Sequence, residues 1–304
     1  MSTMSWVTSW EAWRGVMGHA GSRQRRNVTD FLSTHPAVLY WGDSWFSTPL
    51  YLNLARQSAR RIQGLSMIVG KPGAEAAELF SSREVERIGE RVQNNPFDVV
   101  CLSAGGNDCL HDRLATVFSA WTDGTLPRRK KIGAAEAYRI FEDSRVLERV
   151  QAAYGRALER LKQVRAHRRH LRVVGHPYVP IQCVGRKAVL DTSNIGLIAW
   201  VKDSVGPWLW APMKHVLTDQ TEASEFARQM LEDGFRDGVL ANLQQQYRGF
   251  FHVADFSGVQ ELRREDFWND DIHPGEDGFG RLASPFNRTL RAVLPAAKQA
   301  AVSD

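Results

Sequence analysis

Short apolar runs recur along the chain and alternate with longer segments whose apolar positions have helical spacing. Five runs have the length and composition of buried strands, at residues 37–41, 65–69, 97–103, 171–175 and 250–255. Five segments predict helices, at residues 49–63, 74–93, 134–167 (with a break near Ser144), 222–247 and 274–297. The alternation predicts an α/β protein, a three-layer α/β/α fold around a mostly parallel, five-stranded sheet.

One region does not fit this alternation. We interpret residues 182–220 as an insertion after the fourth strand, a candidate cap or lid over a site. Seven of its apolar side chains are candidates for an apolar acyl pocket or a lipid-facing lid, and the alternative is that they pack the insertion on the core: Ile195, Leu197, Ile198, Trp200, Trp208, Leu209 and Trp210. Residues 1–33 are expected to form a weakly ordered N-terminal flank, residues 34–298 the main domain, and residues 299–304 a C-terminal tail.

The composition is that of an ordinary globular protein, with 43% apolar and 24% charged residues. The net charge of +5 comes largely from three basic runs, at residues 23–26, 128–131 and 165–170. Such runs are usually solvated surface, and no nucleic-acid motif accompanies them, so nucleic acid is not an expected partner. An anionic lipid surface stays open as an alternative partner.

The cysteines and the apolar stretches narrow the class further. Three cysteines without paired spacing support neither a disulfide framework nor a cysteine-rich metal site, and we expect no metal or cofactor. The first twenty residues lack an apolar core of signal-peptide type, and no apolar stretch is long enough to predict a spanning helix. The default expectation is a cytoplasmic protein, with export by a route without a cleaved signal as the alternative.

Two polar blocks carry residues suited to nucleophilic catalysis. Residues 42–44 are Gly-Asp-Ser, which places Ser44 on a turn after the first strand. Far along the chain, Asp270 precedes His273 by three residues, a spacing that lets the carboxylate reach Nδ1 and leaves Nε2 to accept a serine proton. Asp271 is the rival for the orienting role. Either block alone is also consistent with a plain turn or a helix cap.

Two further blocks offer hydrogen-bond donors for a developing oxyanion. Residues 70–73 form a glycine-containing turn after the second strand, where the N–H of Gly73 can point into a site. Residues 105–108, Gly-Gly-Asn-Asp, follow the third strand, and the side chain of Asn107 supplies an amide donor. Because parallel strands bring their carboxyl ends to one edge of the sheet, we expect these blocks to meet.

The order of the blocks resembles the SGNH (GDSL-like) hydrolase family. The resemblance rests on the Gly-Asp-Ser of 42–44, on Gly73, on the GxND pattern of 105–108 and on the DxxH pattern of 270–273. Two positions depart from the family pattern. Trp45 stands where leucine usually follows the Gly-Asp-Ser, and Ile68 stands where asparagine is often found.

The resemblance implies a flavodoxin-like fold and hydrolysis of a carboxylic ester in two acyl-transfer steps. Ser44 would be the nucleophile, His273 the general base and Asp270 its orienting acid. The N–H groups of Ser44 and Gly73 and the side chain of Asn107 would form the oxyanion hole. A lipase or phospholipase acting on membrane lipid, a sugar O-deacetylase, and a non-catalytic binding protein on the same fold are the alternatives. The candidates for contact with a substrate are Trp45, His111, His176, Trp200 and Trp208.

Overall fold

The computed structural model describes residues 6–49, 51–187, 207–260 and 264–304 of the chain. Its centre is one sheet of five strands in the order β2-β1-β3-β4-β5, and every pairing is parallel. The strands are β1 Ala37–Gly42, β2 Leu65–Gly70, β3 Val99–Ser103, β4 Arg172–Gly175 and β5 Phe251–Val253. Every residue of β1 and β3 is buried, as expected for central strands covered on both faces. The predicted α/β/α class and parallel sheet are confirmed.

Helices lie on both sides of this sheet. In chain order they are α1 Trp10–Met17, α2 Arg23–Phe31, α3 Ser44–Ser47, α4 Leu54–Ala59, α5 Ala76–Leu79, α6 Ser82–Asn94, α7 His111–Val117, α8 Ser119–Thr122, α9 Ala134–Asp143, α10 Val146–Arg165, α11 Trp210–Met213, α12 Gln220–Arg228, α13 Ala241–Gln246, α14 Glu276–Val293 and α15 Ala296–Gln299. A π-helical segment, Gln229–Leu240, joins α12 to α13. Short 3-10 turns occur at Asn107–Cys109 and Glu265–Phe267. Among the residues that the structure describes, no helix is both long and apolar enough to cross a membrane.

The helix boundaries differ from the predicted ones where the backbone changes direction. The break near Ser144 is present, because Arg145 adopts a left-handed conformation with φ of 57° between α9 and α10. The helix expected at 74–93 is two helices, α5 and α6, and the helix expected at 222–247 contains the π-helical segment. Apolar spacing predicts which face is buried but carries no signal for these local changes of geometry.

The N-terminal residues do not form the weakly ordered flank that we expected. Trp13, on α1, is 1% exposed, its ring stacks on Phe97 at 4.6 Å, and its indole N–H donates to Asn95 at 2.8 Å. Upstream, the N–H of Val7 donates to the carbonyl of Ser66 on β2 at 2.9 Å. These contacts attach the segment to the edge of the sheet, and burial of a large aromatic side chain offsets the entropy of ordering it.

The predicted insertion is described only at its two ends. Residues 188–206, which include Ile195, Leu197, Ile198 and Trp200, lie outside the described residues. The chain is described again from residue 207 and continues into α11 and α12. The division of the chain into flank, main domain and tail stays a prediction.

Candidate active site

Ser44 lies on the turn directly after β1, as the first residue of α3. The main-chain N–H of Asp43 donates to the carbonyl of Ser103 at 2.9 Å, which continues the contact between β1 and β3 past the strand end. The carboxylate of Asp43 accepts the N–H of Trp45 at 3.1 Å and so caps α3. This local structure holds the hydroxyl of Ser44 half-buried at the edge of the sheet.

His273 reaches Ser44 from a loop 229 residues further along the chain. The distance from Ser44 Oγ to His273 Nε2 is 2.8 Å, and Nδ1 of the same ring lies 2.9 Å from Oδ2 of Asp270. Oδ1 of Asp270 also accepts the main-chain N–H groups of Ile272 at 2.9 Å and of His273 at 2.7 Å. The carboxylate therefore fixes both the loop backbone and the orientation of the ring.

Burial and charge have opposite effects on the pKa values of His273 and Asp270. Burial lowers the pKa of His273, but the charge of Asp270, the hydrogen bond to it and the charges of Asp43 and Asp271 together outweigh burial, so the net shift of that pKa is upward. Burial raises the pKa of Asp270, and the charge and hydrogen bonds of His273 and Ile272 outweigh it, so the net shift is downward. The arrangement favours an ionised Asp270 beside an imidazole of increased basicity.

Asn107 is hydrogen-bonded to the residue that follows Gly73. The side-chain amide of Asn107 donates to the carbonyl of Ala74 at 3.0 Å, immediately after Gly73, whose φ is 77°. Next to Asn107, the buried carboxylate of Asp108 accepts the N–H of Ala76 at 2.8 Å, at the start of α5. Burial raises the pKa of Asp108 to about 6. The loops after β2 and β3 are thus joined by two side chains of the Gly-Gly-Asn-Asp block.

A buried network beneath Ser44 was not anticipated from the sequence. Oδ1 of Asp43 accepts the hydroxyl of Ser103 at 2.8 Å, and Oδ2 accepts the hydroxyl of Tyr178. Burial and the nearby charge of Asp43 raise the pKa of Tyr178, which keeps its hydroxyl protonated as a donor. Tyr178 follows the end of β4, so the rule that places functional groups at strand ends could have drawn attention to it.

Asp271 has a different partner from Asp270. Its fully buried carboxylate accepts the N–H groups of Trp208 at 2.9 Å and of Leu209 at 3.0 Å. Burial raises the pKa of Asp271 to about 6. Of the two rivals for the orienting role, Asp270 is the one in contact with His273, whereas Asp271 binds the described C-terminal part of the insertion.

A cleft opens at the contact between Ser44 and His273. Its polar end is formed by those two residues with Asn107 and the edge of Asp43, and aromatic and aliphatic side chains form the rest. The remaining lining residues are Trp45, Gly106, Cys109, Leu110, Tyr178, Val179, Ile181, Met230, Leu231 and Ile272. Gly73 is not among the described residues that line it. Met230 and Leu231 come from the π-helical segment, and no sequence motif singled them out.

Of the residues proposed to contact a substrate, Trp45 lines the cleft, and three others lie elsewhere. His176 is 1% exposed beneath the cleft, where it stacks on Trp45 at 5.3 Å, and burial lowers its pKa to about 4. The ring of His111 lies in solvent, with Nδ1 2.7 Å from Asp112. Trp208 contributes its main chain to the contact with Asp271. The strand-end position does not distinguish a side chain directed into the cleft from one packed under it.

Two solved structures provide comparisons for the whole fold. A phospholipase A1 from Streptomyces albidoflavus is 16% identical, with a TM-score of 0.46 over 84% of this chain and 99% of that chain. An extracellular lipase from Streptomyces rimosus is 13% identical, with a TM-score of 0.47 over 84% of this chain and 99% of that chain. No family model matches the sequence, and no curated protein matches it. In the order of its sequence blocks and in its five-stranded parallel sheet, the chain resembles the SGNH (GDSL-like) hydrolases.

Proposed function

We propose that this protein is a serine hydrolase of the SGNH type that cleaves a carboxylic ester. The observation that carries the proposal is the continuous contact from Ser44 Oγ to His273 Nε2, at 2.8 Å, and from His273 Nδ1 to Asp270, at 2.9 Å. A nucleophile, a base in hydrogen-bond contact with it and a carboxylate that orients the base are the parts needed for acyl transfer. Ser44 and His273 lie at the polar end of a cleft.

In the first step, Ser44 Oγ would attack the ester carbonyl carbon as its proton moves to Nε2 of His273. Asp270 stabilises the imidazolium that forms. The tetrahedral anion then collapses, the carbon–oxygen bond to the alcohol breaks, and the alcohol leaves with the proton from Nε2. In the second step, a water molecule gives its proton to Nε2 and attacks the acyl-enzyme. The acid leaves, and the proton returns to Ser44.

The oxyanion would be held by donors already fixed before the reaction. The side-chain nitrogen of Asn107 carries two hydrogens, and one of them donates to Ala74 at 3.0 Å, which leaves the second for the substrate. The N–H of Ser44, at the start of α3, is the second proposed donor, and the N–H of Gly73 is the third. Loss of one such donor typically reduces kcat by about 10²–10³-fold.

The test is hydrolysis of p-nitrophenyl acetate, butyrate and palmitate by the wild type and by Ser44→Ala and His273→Ala. We expect the wild type to hydrolyse at least one ester and both variants to lose that activity. Ser47→Ala and His111→Ala are matched controls, because Ser47 lies one turn further along α3 and His111 lies in solvent. Both controls should keep the wild-type rate.

A second readout identifies the nucleophile directly. A fluorophosphonate probe should add covalently to the wild-type protein, and peptide mapping should place the adduct on Ser44. Labelling of another residue, or undiminished hydrolysis by Ser44→Ala, would contradict the proposal. A folded protein that binds an ester but neither hydrolyses it nor reacts with the probe would favour the non-catalytic alternative.

A further inference from the structure

The cleft beside Ser44 is divided into a short polar end and a long apolar wall. Six side chains on three separate segments form most of that wall, Cys109, Leu110, Val179, Ile181, Met230 and Leu231. All but Leu110 are at most 5% exposed, so they form a dry surface rather than a solvated rim. A surface of this kind favours methylene groups over water.

The described lining contains no lysine or arginine, and its carboxylate is already occupied. Asp43 accepts hydrogen bonds from Ser103, Trp45 and Tyr178. A charged group on the substrate would therefore lose its hydration at this wall without gaining a partner, which is costly. The wall therefore favours an uncharged group over a carboxylate, a phosphate or an ammonium.

Two consecutive residues of the π-helical segment belong to this wall. Met230 and Leu231 are both buried and both line the cleft, although neighbouring residues of a regular α-helix do not share a face. π-helical turns often occur at functional sites, where they redirect side chains. Methionine also adapts its shape to what it contacts. A change in the size of either side chain therefore changes the space that the cleft offers.

The enclosed part of the cleft sets the scale of that group. Its volume is about 30 Å³, far below the roughly 300–1,000 Å³ of typical ligand pockets. This space accommodates only a short aliphatic group. Of the two halves of an ester, the acyl half stays bonded to Ser44 between the two steps, whereas the alcohol leaves, so the acyl half is the one that gains from an enclosing wall.

Resting on the proposed esterase function, we propose that this wall is the acyl pocket for a short, uncharged, unbranched acyl chain, with Met230 and Leu231 as its specificity-determining residues. The sugar O-deacetylase alternative predicts a different dependence. The rate would then depend on the structure of the alcohol and would not increase when the acyl group is longer than acetyl.

The experiment varies one half of the ester at a time. With p-nitrophenol as the constant alcohol, the acyl groups are acetate, butyrate, octanoate and palmitate, with hemisuccinate and 4-aminobutyrate as charged counterparts of butyrate. We expect kcat/KM to rise from acetate by up to about fourfold for each methylene buried, to pass a maximum, and to fall at palmitate. Both charged esters should be poorer than butyrate by about 10²-fold or more.

The variants test which residues set the maximum. Met230→Ala and Leu231→Ala should move it toward longer chains, and Met230→Leu, which conserves volume, should leave it in place. Leu110 lies at a half-buried position of the wall, so Leu110→Ala should disturb folding less than the other two alanine variants. It should weaken the preference for butyrate over acetate. Leu126→Ala is the matched control, because Leu126 is 47% exposed and is not among the lining residues.

The outcomes separate this inference from the function on which it rests. An unchanged chain-length profile in the folded Met230, Leu231 and Leu110 variants would overturn the acyl-pocket inference. If hydrolysis still depended on Ser44, the proposed esterase function would stand. Equal rates on butyrate and hemisuccinate, or selectivity confined to the alcohol, would also overturn the acyl-pocket inference. Absence of both ester hydrolysis and Ser44 labelling in the wild type would remove the function and the acyl pocket together.

Discussion

The main-chain N–H of Trp208 donates a hydrogen bond of 2.9 Å to Oδ1 of Asp271, in the loop that carries His273. The carbonyl of the same Trp208 accepts the N–H of His111 at 3.1 Å, just beyond the turn that carries Asn107. One residue thus joins the loop of the proposed base to the loop of a proposed oxyanion donor. The described part of the insertion contributes to the site through this backbone connection.

Asp271→Ala should destabilise the protein strongly. The substitution leaves the N–H groups of Trp208 and Leu209 without their acceptor, and each buried unsatisfied donor costs about 1–3 kcal/mol of the free energy of unfolding. Asp219→Ala is the matched control, because Asp219 also accepts two main-chain N–H groups, but at the exposed start of α12, where a lost cap costs about 1 kcal/mol. Denaturant unfolding measures both losses. A loss for Asp271→Ala no larger than that for Asp219→Ala would contradict the buried role.

Asp271 should also impose a pH dependence on stability. Burial raises its pKa to about 6 in the folded protein, above the value of about 3.9 in an unfolded chain. The folded state therefore binds this proton more tightly, and the contribution of Asp271 to the free energy of unfolding falls as the pH rises from about 4 to about 6. Relative to Asp271→Asn, which does not titrate, the wild type should lose roughly 2–3 kcal/mol across this window.

The raised pKa of Asp108 acts in the same direction but is present in both proteins, so the comparison cancels it. Unfolding curves recorded across a pH series measure the difference. A constant difference between the wild type and Asp271→Asn would show that Asp271 does not titrate in this range.

The sequence predicted the parts of the site that depend on strand ends. Ser44 and His273 are distant along the chain, but a parallel sheet brings the turns after its strands to one edge, and motif order was enough to pair them. The contact of Asp270 with His273 follows from their spacing in one loop. These are local or topological relationships, and both leave a pattern in the sequence.

The parts that depend on packing were not predictable. Met230 and Leu231 line the cleft from the middle of a helical segment, and only the three-dimensional fold brings that segment to Ser44. Trp13 lay in a polar flank without strand periodicity, and its burial depends on a surface around Phe97 that exists only after folding. His176 occupied a strand end, but its ring is directed under the sheet edge rather than into the cleft.

The activity should rise with pH through a titration assigned to His273. Only a neutral imidazole accepts the proton of Ser44, and burial lowers the pKa of His273 less than Asp270, Asp43 and Asp271 together raise it. The midpoint of the acid limb of kcat/KM should therefore lie above the ordinary value of about 6.5. Asp270→Asn should move that midpoint to lower pH, because burial then acts without the main opposing charge, and should reduce kcat by about 10⁴-fold.

The measurement is kcat/KM for p-nitrophenyl butyrate across a pH series, corrected for spontaneous hydrolysis. His111→Ala serves as the control, and its acid limb should coincide with that of the wild type. An acid limb that stays in place in Asp270→Asn would show that another group controls the titration.

Tyr178→Phe should weaken the support beneath Ser44. The phenol donates to the buried carboxylate of Asp43, and hydrogen bonds to charged groups contribute about 1.5–3 kcal/mol to stability. Tyr40→Phe is the matched control, since Tyr40 is also buried but bonds to the neutral hydroxyl of Ser58 at 2.7 Å, for about 0.5–1.5 kcal/mol. Because Asp43 caps α3, we expect kcat to fall in Tyr178→Phe with little change in KM, and to be unchanged in Tyr40→Phe. Equal kcat in both variants would show that Tyr178 does not help to position Ser44.

Two glycines of one turn should respond differently to alanine. At Gly70, with φ of 154°, a Cβ would lie 1.7 Å from the carbonyl oxygen of Gly42, so Gly70→Ala requires β1 and β2 to separate and should cost more than about 4 kcal/mol. At Gly73, with φ of 77°, a Cβ would meet no atom within 4 Å, and only the left-handed backbone conformation costs about 1–2 kcal/mol. Gly73→Ala should therefore fold.

Relaxation of the Gly73→Ala backbone toward negative φ would turn the N–H of residue 73 away from the site, and kcat should fall by about 10²-fold if that N–H holds the oxyanion. Thermal unfolding and kcat, measured on the same preparations, separate the two effects. A folded Gly73→Ala protein with wild-type kcat would remove Gly73 from the proposed oxyanion hole and leave Ser44 and Asn107 as its donors.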